Sequence, residues 1–106
     1  MPVYQNIQNL AKDINESTIF NDNVKTLTSK LVDKNLSKDE LSVHLSFIYF
    51  IHLNKPQEIE QYLNLCNKYH FNIFETNLIT NWWQYNKSNK FLSYSQRNFS
   101  ATKTLL

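Results

Sequence analysis

Three histidines and a single cysteine have the widest chemical range in this 106-residue chain, and their spacing limits what they can do. His44 and His52 lie in the run LSVHLSFIYFIHLN, residues 41–54. Eight residues along a helix separate two side chains by about 12 Å and turn them about 80° apart, too far to share a metal. Each is expected to be a structural histidine. His70 follows a periodic apolar stretch, where a cation suits a helix C-terminus. Cys66 would need a base beside it to act as a nucleophile, yet no catalytic motif surrounds it and it falls on an apolar helical stripe. The carboxylates Asp39, Glu40, Glu58, Glu60 and Glu75 sit where helices are expected to start, and the helix macrodipole accounts for them there. The residues therefore read as those of a non-enzymatic protein with no metal and no cofactor.

The elements that would carry these residues are helices. The chain contains no glycine. Glycine normally supplies the positive φ of tight hairpins and the close backbone approach of phosphate loops, so Rossmann, P-loop and most all-β folds are disfavoured together. Hydrophobic residues make up 42% of the sequence, enough for one modest core in a single domain. A lone cysteine makes no internal disulfide, which fits a reducing cytoplasm. The opening MPVYQNIQNLAKDINE alternates polar and apolar residues at helical spacing and lacks the basic start and long apolar stretch of a secretion signal.

The run at 41–54 is too short, at about 13 apolar-rich residues, for the roughly 20 that a membrane span requires. Ser37 and Glu40 just before it form an S-x-x-E capping box, which marks a helix start. Leu41, Val43, Leu45, Phe47, Ile48, Phe50 and Ile51 cover most of that helix, leaving a polar side at Ser42, Ser46 and Tyr49. Its neighbours are predicted over about 3–15 (Ile7, Leu10, Ala11, Ile14 inward), 22–34 (Val24, Leu27, Leu31, Val32) and 57–69 (Ile59, Tyr62, Leu63, Cys66). A fifth is expected over about 73–86, capped by Asn72 and burying Phe74, Leu78, Trp82 and Tyr85. The expected fold class is all-α: an antiparallel bundle of four to five helices over residues 1–86, then an irregular basic C-terminal tail over 87–106. If the neighbours left the 41–54 helix uncovered, a homodimer would cover it.

Charge is unevenly distributed. Residues 1–75 hold seven basic and nine acidic side chains, whereas 76–106 hold Lys87, Lys90, Arg97 and Lys103 and no acid. A weakly acidic bundle thus runs into a basic, aromatic-spotted segment suited to an acidic protein or an anionic membrane surface. Of the adjacent pair Trp82 and Trp83, the first is expected to face the core and the second to serve as a surface anchor. The candidate partner-binding patch is Trp83, Tyr85, Lys87, Lys90, Phe91, Tyr94 and Arg97. A helix-turn-helix reading is disfavoured, because the helix at 57–69 opens with Glu58 and Glu60 where phosphates would approach. Any nucleic acid binding would be weak, salt-sensitive and confined to the tail.

The stretch FETNLITNWWQYNKSNKFLSY closes the bundle and opens that tail. In size, helix order and C-terminal segment, the chain resembles the immunity proteins of pediocin-like (class IIa) bacteriocins, although glycine, which many members carry in the C-terminal part, is absent here. The resemblance implies a cytoplasmic bundle at the inner membrane face that protects a bacteriocin producer. Its protein partner would be a membrane permease occupied by bacteriocin, met by the basic tail and Trp83 with peripheral membrane contact. The alternative is a small regulatory or phage-type inhibitor that docks the same patch on a host protein or nucleic-acid machine.

Overall fold

A computed structural model describes residues 2–75, 77–79 and 81, with the backbone alone for residues 2–4. The fold is an all-α helical bundle, and no strand occurs among the described residues. Its long helices are α1 (Pro2–Glu16), α2 (Asp22–Val32), α3 (Lys38–His52) and α4 (Pro56–Lys68). Helix α1 packs against α2 and α4, and α2 packs against α3.

Local chemistry sets the helix starts. Proline occupies the first turn of α4, where its missing N–H costs nothing. At α3 the expected capping box is complete: the Glu40 N–H donates to Ser37 Oγ at 3.2 Å and the Ser37 N–H donates to Glu40 Oε1 at 3.1 Å. At α4 only half of such a box exists, since the lysine at the N-cap has no side-chain acceptor. Glu58 Oε1 accepts from the Lys55 N–H at 3.2 Å.

Helix α3 is the centre. Every residue from Leu41 to Ile48 is buried within the single chain. Ile7, Leu10, Ala11 and Ile14 of α1, Val24 and Leu31 of α2, and Tyr62 and Cys66 of α4 close around it, as their spacing predicted. Over residues 41–48 the chain itself thus covers this helix.

Several expectations need correction. Ser42 and Ser46 are not a solvent face: both are buried, with the Ser46 hydroxyl donating to the Ser42 carbonyl at 2.7 Å. Ser46 is met by the segment after α4, where a fifth helix was expected to begin. Residues 71–75 are not helical; Phe71 is buried and the Phe74 N–H donates to Ser46 Oγ at 2.9 Å. Asn72 is thus no N-cap. Beyond α4, helical backbone is described only at 77–79 and 81, after the Ile79 N–H has bonded the Glu75 carbonyl at 3.1 Å. Its phase differs too: Leu78, expected to be buried, is 51% exposed, and Ile79 is fully buried in its place; Trp82 and Tyr85 lie outside the described residues. On α4, Leu63 is exposed and Leu65 takes the inward position.

The absence of glycine does not exclude left-handed turns. Asn35 (φ 56°) and His70 (φ 65°) adopt them after α2 and α4. At His70 the geometry is a Schellman motif, with the Phe71 N–H on the Cys66 carbonyl at 2.8 Å and the His70 N–H on the Asn67 carbonyl at 3.1 Å. His70 ends α4 through its backbone, where its side-chain charge was expected to act. This turn sends residues 71–75 back over α3.

Candidate interaction surface

Two of the groups with chemical potential, His44 and Cys66, are buried in the core. His44 is fully buried, and burial, reinforced by the Lys34 charge and opposed by Glu40, lowers its pKa from 6.5 to about 3. It is a neutral imidazole at physiological pH. Burial also lowers the pKa of His52, at the end of α3. Cys66 is fully buried, and its thiol is pushed up to about 12 by that burial, with a hydrogen bond to Tyr62 working the other way. A thiolate nucleophile is thereby disfavoured at neutral pH. Among the described residues no group of three or more His, Cys, Asp or Glu side chains could hold a metal ion. Also among them, no helix is long and apolar enough to cross a membrane.

Two polar junctions fix the helices. Asn21 caps α2 by accepting from the Val24 N–H at 3.0 Å, while its Nδ2 donates to the His52 carbonyl at 2.9 Å and lies 3.5 Å from Glu58 Oε2. One side chain therefore ties the start of α2 to the end of α3 and the start of α4. Spacing in the sequence leaves the start of α2 between Asn21 and Asp22 and gives no sign of the other two links or of the burial of Glu58. The second junction joins α1 to α4: Asp13 accepts from the Tyr69 hydroxyl and lies 3.6 Å from Lys68 Nζ, and Asn6 Nδ2 donates to the Tyr69 carbonyl at 3.3 Å. The Asp13 carboxylate raises the Tyr69 pKa, and the Tyr69 hydroxyl and Asp13 raise that of Lys68.

Beside this second junction is an open groove of about 460 Å³, lined by Asp13, Glu16, Ser17, Thr18, Ile19, Gln61 and Leu65. It lies where α1 ends and the chain turns toward α2, across from α4. Ile19 is 44% exposed there, one of the few large apolar side chains left at the surface among the described residues. Leu65, at 8% exposure, belongs to the core at the groove's edge. Asp13 and Glu16 are its charged members, and α1 has no basic residue in its last turn.

The patch expected from sequence, Trp83, Tyr85, Lys87, Lys90, Phe91, Tyr94 and Arg97, lies outside the described residues, as does the tail at 87–106. The groove at Glu16 and Ile19 had no signal of its own in the sequence, because its two sides, residues 13–19 and residues 61–65, lie more than forty residues apart in the chain. Comparison with known proteins finds no matching protein family, no matching curated protein and no matching solved structure.

Proposed function

We propose that this chain is a non-enzymatic binding protein of the bacteriocin-immunity kind, protecting its producer at the cytoplasmic membrane face by recognising a bacteriocin–receptor complex. The observation that carries the reading is the use to which the bundle puts its reactive groups. His44 and Cys66 are buried in forms poorly suited to acid–base or nucleophilic work, so the helices serve as a scaffold. A scaffold of this size acts by contact, and the chain's charge is arranged for contact: net −2 over residues 1–75 and +4 over residues 76–106. The family resemblance in size and helix order gives that contact a biological setting.

The test is growth of a sensitive lactic acid bacterium expressing the chain, challenged with a panel of pediocin-like bacteriocins. Selective survival against one or two of them is expected. Survival should be lost on Trp83→Ala or on removal of residues 87–106, with the helical circular dichroism retained. Uniform killing despite soluble expression would overturn the immunity reading. The inhibitor alternative would then be pursued by using the chain as bait for a host enzyme.

A further inference from the structure

We infer that the groove between the end of α1 and α4 is a docking site for a cationic, amphipathic peptide segment of another protein. The inference stands apart from the immunity reading, because it rests on the groove alone.

The electrostatics of the groove favour one sign of ligand. The last turn of α1 leaves backbone carbonyls that carry the negative end of the helix dipole, and no basic side chain lies in that turn to offset it. The carboxylates of Asp13 and Glu16 line the same space. Asp13 is partly satisfied, by the Tyr69 hydroxyl and by Lys68, whose side chain is 62% exposed. Lys68 is thus a weakly held surface cation of the type that a ligand's lysine or arginine can displace. Glu16 is exposed, and no hydrogen bond or ion pair holds its side chain among the described residues. The groove lies in the weakly acidic part of the chain, net −2 over residues 1–75, so its carboxylates add to a field of the same sign.

Charge alone would suit any cation; Ile19 narrows the class. It stands half-exposed beside Leu65 and next to the carboxylates, so an apolar side chain lying against it would remove apolar surface from water on both partners. A peptide presenting a basic and an apolar side chain a few ångströms apart matches that arrangement.

The probe is a fluorescein-labelled eight-residue peptide of alternating lysine and leucine, titrated with the full chain and followed by anisotropy. Saturable binding is expected, weakened about tenfold in the Glu16→Gln, Ile19→Ser double variant, whose sites are both exposed. The Asp33→Asn variant, an exposed carboxylate at the far end of α2, should bind as the unaltered chain does. Lys68→Gln supplies a readout that misfolding cannot imitate: removing the competing cation should tighten binding about threefold. Equal affinity in the double variant, equal affinity for a peptide of eight lysines, or weakened binding in Lys68→Gln would each overturn the proposal.

Discussion

At the scale of single residues, His44 shows what the bundle demands of a titratable group at its centre. The imidazole is fully buried on α3, and its folded pKa of about 3 lies below the ordinary 6.5. In the unfolded chain it takes up a proton below pH 6.5, whereas the folded protein resists protonation until near pH 3. The unfolded state therefore binds more protons in that window, so stability is fully present above pH 6.5 and is lost as pH falls, at up to about 1.4 kcal/mol per pH unit. His52 moves in the same direction. Urea unfolding at pH 7 and pH 5 should show a loss on the order of 2 kcal/mol in the unaltered chain. His44→Gln, which keeps a polar side chain but cannot titrate, should start less stable and lose less than half as much over the same interval. A parallel fall in both proteins would place the acid sensitivity elsewhere. The sequence reading foresaw a structural histidine here because the residues around it are largely apolar. The serines at 42 and 46 mark the polar side of α3 in the sequence, and nothing within α3 reveals that a non-helical segment bonds Ser46 from outside.

At the scale of elements, local and long-range chemistry can be separated at Asn21. As the N-cap of α2 it accepts one hydrogen bond, and Asp at that position would do this equally well and add a favourable charge at the helix N-terminus. The helix considered alone therefore predicts that Asn21→Asp is neutral or stabilising. The junction predicts the opposite. The substitution would exchange the amide donor, 2.9 Å from the His52 carbonyl and 3.5 Å from Glu58 Oε2, for a second carboxylate facing two acceptors. A loss of about 1–3 kcal/mol is expected from the unmet acceptors and like-charge repulsion. Calorimetric unfolding at pH 7 decides between them, and a variant as stable as the parent would leave Asn21 with its cap alone. The same division explains which elements could be read in advance. The start of α3 was legible because Ser37 and Glu40 are neighbours in the chain, and α1 because one unbroken stripe specifies its inner face. The segment after α4 was misread because its path depends on a left-handed histidine and on a hydrogen bond to a serine 28 residues away. Local pattern carries neither. The patch from Trp83 to Arg97 was legible only as composition, and the Glu16–Ile19 groove was not legible at all, since it exists only once α1 and α4 lie side by side.

At the scale of the whole molecule, the stability of the bundle turns on the chain beyond α4. Residues 1–69 contain all four long helices, and by helix count they would pass for a complete domain. The packing says otherwise. Phe71 and Ile79 are buried in the core, Ile73 and Phe74 pack against it, and the Phe74 N–H satisfies Ser46. Burying two large apolar side chains contributes roughly 3–6 kcal/mol, a large share of the 5–15 kcal/mol that holds a typical domain together. A chain ending at Tyr69 would also lose the bond from the Phe74 N–H to Ser46 and leave that part of α3 without its cover. It should therefore unfold at a much lower urea concentration, expose Cys66 to a thiol reagent and sediment as more than one chain. A chain ending at residue 86 retains Phe71, Phe74 and Ile79, and should keep a cooperative transition and an unreactive Cys66. Thiol reactivity is the sharper probe, because Cys66 is fully buried on the face of α4 that meets the core and becomes available only when the bundle opens. If the chain ending at Tyr69 protects Cys66 as well as the longer one does, the segment over α3 is an ornament to a self-sufficient four-helix core. If only the longer chain protects it, the bundle is completed by a segment that opens with the non-helical residues 71–75, and a boundary drawn at the end of α4 would cut through the core.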